Sequence, residues 1–167
     1  SLNILEEGIR AVARVAKVHF LIWGFGEDSY LRELQSLAAR LGIQERVHFL
    51  GACEDKWEHL RGCDISYCVY SPVELRTKHV ALASNKLMEA LACGLPVLVS
   101  NEADFRDIVE QYDVGVCARS LTIEGIAAAL DELVKDEAAR KVRSANARKL
   151  HEQLFNYEAQ FGDLLQR

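Results

Sequence analysis

Apolar positions along the chain change their period again and again. "SLNILEEGIRAVARVA" puts Ile4, Leu5, Ile9, Val12 and Val15 on one helical stripe, which predicts a helix over residues 3 to 15. "KVHFLIWG" then reads as a buried strand ending at Gly24. The helical period returns in "SYLRELQSLAARLG" through Leu31, Leu34, Leu37, Ala38 and Leu41, with Gly42 placed as C-cap. "RVHFLG" follows as a second strand. A short helix near 54 to 61, a strand "DISYCVY" at 64 to 70 and, after a polar loop, a helix at 85 to 93 come next. "LPVLVS" predicts a fourth strand, residues 103 to 112 a helix and "VGVCA" a fifth strand, and helices at 122 to 135 and 137 to 153 close the pattern.

Five strands alternating with helices predict an α/β fold, a doubly wound parallel sheet with helices on both faces. Right-handed crossovers then place ligands at the carboxyl ends of the strands. No repeat, low-complexity segment or Pro-rich linker divides the chain, so residues 1–167 read as a single domain. The chain opens on a helix, where such a unit normally opens on a strand. Either the first strand lies upstream of residue 1 or the sheet is built differently.

Composition narrows the choice of function. With 167 residues, 50% hydrophobic and 27% charged, the chain can bury a full core. A net charge of -5 without a basic cluster argues against a nucleic-acid partner. The five cysteines are odd in number and form no CxxC pair, which fits a reducing, cytoplasmic compartment. No apolar run reaches the roughly 18 residues of a membrane span, and no signal sequence opens the chain. A soluble protein is expected, with a membrane-surface partner left open.

The chemistry gathers around one helix start. "ASNKLMEALACGLPVLVS" opens with Ser84 as N-cap and puts Asn85, Lys86 and Glu89 near one another on the first turns. Free N–H groups and the helix dipole favour an anion there, and Glu89 could accept hydrogen bonds from a vicinal diol. A plain Lys86–Glu89 pair worth a few tenths of a kcal/mol would account for two of the three residues. The preceding loop "YSPVELRTKHVALAS" is longer than the roughly two to six residues usual for such connections and adds Arg76, Lys78 and His79. It is expected to be mobile and to order around a ligand. "GFGEDS" brings Gly24 and Gly26 to the end of the first strand, as a ligand-approach loop or a simple turn. It lacks the third glycine of a dinucleotide fingerprint. No GxSxG, HExxH, Walker GK[ST] or DxD motif is present, so no metal site is expected. His19 and His48 fall in predicted strands as structural histidines, and Trp23 and Trp57 as core or interface anchors.

These segments resemble the C-terminal, donor-binding domain of a GT-B glycosyltransferase of the family 4 (group 1) type. The resemblance rests on "FLIWGFGED", "ERVHFLG" and "DISYCVY", and above all on "ASNKLMEALACGLPVLVS", which is similar to the family's helix with its Glu, Ala, Cys-Gly and Leu-Pro-Val order. It implies a Rossmann-like half of the GT-B fold. By the same resemblance Glu89 holds the ribose hydroxyls of a nucleotide diphosphate sugar, UDP- or GDP-linked, while amides around Ser84, Asn85 and Lys86 hold its phosphates. Gly24 and Gly26 complete the binding set.

The implied reaction is retaining glycosyl transfer in glycan or polysaccharide biosynthesis, with no bound metal or other cofactor. Arg76, Lys78 or Lys86 would stabilise the departing diphosphate, and Lys86 is the expected catalytic residue because a helix fixes it. The family often carries a second glutamate eight positions before Glu89, where this sequence has Ala81. It also places a strand and a basic loop ahead of the first helix, and an N-terminal acceptor domain before that. The implied partners are therefore the nucleotide sugar and an acceptor domain in the same or another chain, through which a cytoplasmic protein could meet a membrane-surface acceptor. A non-catalytic nucleotide-sugar-binding or interaction module of a split or degenerate transferase is the alternative. A sugar-nucleotide epimerase is a weaker third reading, because the sequence offers no paired acid and base.

Overall fold

The computed structural model describes residues 4–52, 55–71 and 83–165. In chain order it runs α1 (Leu5–Arg14), β1 (Phe20–Trp23), α2 (Asp28–Arg40), a 3-10 turn (Gln44–Arg46), β2 (Val47–Gly51), α3 (Lys56–Arg61) and β3 (Ser66–Cys68). Then follow α4 (Asn85–Ala92), β4 (Val97–Ser100), α5 (Ala103–Tyr112), β5 (Gly115–Ala118), α6 (Ile123–Lys135), α7 (Glu137–Leu150), a π-helical turn (His151–Phe155) and α8 (Tyr157–Leu165).

All pairings among the five strands are parallel, but they fall into two sets. β1 pairs with β2, Phe20 opposite Val47. β4 lies between β3 and β5, with Ser66 opposite Val97 and Val97 opposite Gly115. Between the two sets runs a slot of about 520 Å³. The expected sheet is thus present in two pieces.

Strand periodicity distributes the core over two layers. Val69, Leu98 and Val116 join the buried residues of α1, α2 and α6, such as Ile9, Leu34 and Ile126. Their neighbours Cys68, Val97 and Val99 face the other way, onto Leu87 and Leu91 of α4, Phe105 of α5 and Ala147 of α7. All four residues of β4 are buried, as a central parallel strand covered on both faces must be.

The elements differ from the sequence reading mainly at their ends. The first strand starts at Phe20 rather than at residue 17, because Lys17 adopts a left-handed φ of 62° that ends the preceding turn. The third is confined to Ser66–Cys68, with Tyr70 in an isolated bridge. The last predicted helix stops at Leu150 and widens into the π turn. Asn156 holds that turn, its Nδ2 donating to the carbonyls of His151 (3.1 Å) and Glu152 (2.6 Å). The same side chain's Oδ1 accepts from Ala159 N at 2.6 Å and starts α8, which the period did not predict. His19 and His48 do pair structurally across β1 and β2, with ring nitrogens 3.0 Å apart and rings stacked.

Candidate functional site

α4 begins where β3 and its bridge residue end. Ser84 is its N-cap, Oγ accepting from Leu87 N at 3.3 Å, and that oxygen also lies 2.8 Å from the Tyr70 hydroxyl. Ser84 is 4% exposed, so its hydroxyl is committed to holding the helix start against the sheet. The helix's first amides have no partners within the helix and carry the positive end of its dipole. The stop is equally defined: Leu95 N donates to Ala90 O at 2.8 Å around Gly94, whose φ is 68°. The helix is therefore fixed at both ends with its N-terminus at the carboxyl edge of the strands, where ligands of parallel sheets bind.

Asn85 and Lys86 are exposed on the first turn and Glu89 is half-buried one turn on. The Lys86 ammonium lies 5.5 Å from the centroid of the Tyr70 ring. Desolvation pushes its pKa below the ordinary lysine value, opposed by the nearby Cys68 thiol and the Glu89 carboxylate. Glu89 is bound across the fold: Lys56 Nζ is 2.6 Å from its Oε1, and this ammonium is also 5.0 Å from the Trp57 ring centroid. Lys56 is the first residue of α3, at the carboxyl end of β2. The slot between the sheets reaches Lys86 and Glu89 beside Trp23 and Leu60.

The remaining sequence candidates divide. Gly24 ends β1 with φ 137°, its N–H donating to Gly51 O at 2.8 Å, so one of its tasks is to tie the two strand ends together. Gly26 has open space where a Cβ would stand, and Phe25 between them is 97% exposed. Neither glycine lines the slot that Lys86 and Glu89 share. Arg76, Lys78, His79 and Ala81 lie outside the described residues. Trp23 packs on the second core layer, whereas Trp57 is 41% exposed beside the site. Lys56, Trp57 and Tyr70 were missed because each is ordinary in its own segment; Lys56 and Glu89 are 33 positions apart, and only the fold brings them together.

Residues 5–150 match the family model described as "Glycosyl transferases group 1". The chain belongs to that family. The lipopolysaccharide core biosynthesis glycosyltransferase LpsE of Rhizobium meliloti (strain 1021) is 28% identical over 132 residues, which are 79% of this chain and 36% of that protein. Among solved structures, Anabaena Alr3699/HepE in complex with UDP-glucose superposes with a TM-score of 0.80 at 23% identity, covering 99% of this chain and 45% of that one. The C-terminal domain of the group 1 family protein LpcC from Francisella tularensis gives a TM-score of 0.76 at 19% identity, covering 93% and 81%. The fold of this group 1 chain is thus the Rossmann-like C-terminal domain of a GT-B glycosyltransferase, and it spans about a third of LpsE's length. Among the described residues no helix is long and apolar enough to cross a membrane.

Proposed function

We propose that this domain binds the donor of a glycosyl transfer, a nucleoside diphosphate sugar of the UDP- or GDP-linked class. The observation that supports it most is the fixed start of α4, where free amides, the Lys86 ammonium and the Glu89 carboxylate stand together at the carboxyl edge of the strands. Amides of Ser84, Asn85 and Lys86 receive the diphosphate, and Glu89 accepts from the ribose hydroxyls. Gly24 and Gly26 let the backbone approach the donor from the end of β1.

In the reaction the bond from the anomeric carbon to the diphosphate breaks and one to an acceptor oxygen forms. The acceptor's proton passes to the departing diphosphate. Negative charge grows on the leaving group, where the helix N-terminus and Lys86 stabilise it without a metal. Retention of anomeric configuration is the stereochemistry we assign. The acceptor is held by a second domain, of this or a partner chain, and the product belongs to glycan or polysaccharide assembly on the cytoplasmic side, at a membrane surface where the acceptor is a lipid.

Calorimetric titration with UDP and GDP tests the donor site. Glu89→Gln should weaken binding by about 1–3 kcal/mol, the worth of a hydrogen bond to a charged group. Unchanged affinity would remove Glu89 from the site. Ala81, at the position where the family resemblance implies a second glutamate, favours a second reading: a nucleotide-sugar-binding module without turnover. Donor binding together with no sugar transfer by the complete two-domain protein would select it.

A further inference from the structure

We infer that Lys56 is a positioning residue of the donor site, fixing Glu89 for the ribose diol; this rests on the donor reading above. Its ammonium is held on two sides, by Glu89 Oε1 at 2.6 Å and by the face of Trp57 at 5.0 Å. Both members of the ion pair are partly shielded, with side chains 37% and 24% exposed. Lys56 leads α3, so its backbone is fixed by a secondary element and only the side chain needs ordering.

A glutamate on a helix samples several rotamers at a cost in binding when a ligand must select one. The cation removes most of that freedom in advance. A carboxylate offers about four acceptor sites, so one bond to Lys56 leaves room for two hydroxyls. The two lysines near Glu89 then have separate tasks. Lys86 sits on the first turn of α4 over Tyr70, while Lys56 reaches Glu89 from a different element.

The reading separates positioning from simple attraction of an anion. UDP and GDP, each beside its 2′,3′-dideoxy analogue, are titrated into the chain and into its Lys56→Met, Lys56→Arg and Glu89→Gln variants, folding being checked by thermal melting. Lys56→Met should weaken the intact nucleotide roughly fivefold, as expected for a partly exposed ion pair. It should leave the dideoxy analogue's affinity unchanged, and Lys56→Arg should restore most of the loss. Unchanged affinity in Lys56→Met, or equal loss for both ligands, overturns the inference. Should the methionine variant fail to fold, Lys56→Gln is read against the same outcomes. Failure of the unaltered chain to bind either nucleotide overturns the donor reading and this inference with it; loss in Glu89→Gln without loss in Lys56→Met overturns this inference alone.

Discussion

At Ser84 the side chain is occupied by the fold, and only its backbone amide belongs to the proposed donor site. Its hydroxyl caps α4 and meets the Tyr70 hydroxyl in a buried setting. Ser84→Ala should cost about 2 kcal/mol in urea denaturation, because it removes the cap and leaves the Tyr70 hydroxyl without this partner. Adding Tyr70→Phe should make the pair less destabilising than the sum of the two single changes. Cys68 and Cys117 set a second expectation. Burial lifts each thiol from 9.0 to about 11, with the hydrogen bond between Ser66 and Cys68 acting against the rise at Cys68 and Glu110 raising Cys117 further. The native chain then keeps protons that the unfolded chain loses. Their contribution is full below pH 9 and is lost as pH rises toward about 11. Denaturation midpoints measured across that window should fall, and fall less steeply in Cys68→Ala.

Element ends carry most of what the sequence left unread. Gly115 reads as one more small residue in "VGVCA", yet a Cβ there would collide with Val97 O on β4. That neighbour is backbone and cannot turn aside. Gly115→Ala should therefore destabilise by about 1–3 kcal/mol, the usual range for overpacking, visible as a lower melting temperature. Asn156 gives the complementary case. Its side chain both closes the π turn and opens α8, so Asn156→Ala should fray the C-terminal helix and speed hydrogen exchange over Tyr157–Leu165, leaving α7 protected.

At the level of the molecule, no strand pairing joins the two sheets among the described residues. Phe20 of β1 and Tyr67 of β3 touch edge to face at 5.2 Å across the slot, under α1, where Tyr67 Oη donates to Ile4 O at 2.9 Å. Ile22, Leu98, Ile126 and Leu130 line the same space. An extended segment laid there would pair strand edges and cover apolar surface. A longer protein carrying such a segment ahead of α1 is expected to melt at a higher temperature and to bind UDP more tightly than these 167 residues. Equal melting temperatures would show that the slot is already closed. Tested alone, these 167 residues should transfer no sugar, because the proposed reading places the acceptor on a second domain and rate depends on both substrates being held together. Turnover by this chain at a rate comparable to a two-domain enzyme would refute that arrangement.

Periodicity alone determined the class of fold. Runs such as "LPVLVS" are short, mostly apolar and bounded by turn residues, as strands covered on both faces are, so their alternation with helical stripes specified parallel strands between helix layers. The local pattern of "ASNKLMEAL" likewise determined a capped helix start with a lysine and a carboxylate beside it, since capping and helical spacing act within a few residues. Tertiary structure decided what those groups touch. It turned Glu89 toward Lys56 on another helix, set Lys86 over Tyr70, committed the Ser84 hydroxyl to the sheet and divided the strands into two sets. Each of these depends on distances between segments far apart in the chain, which packing of the two core layers fixes and no local period encodes.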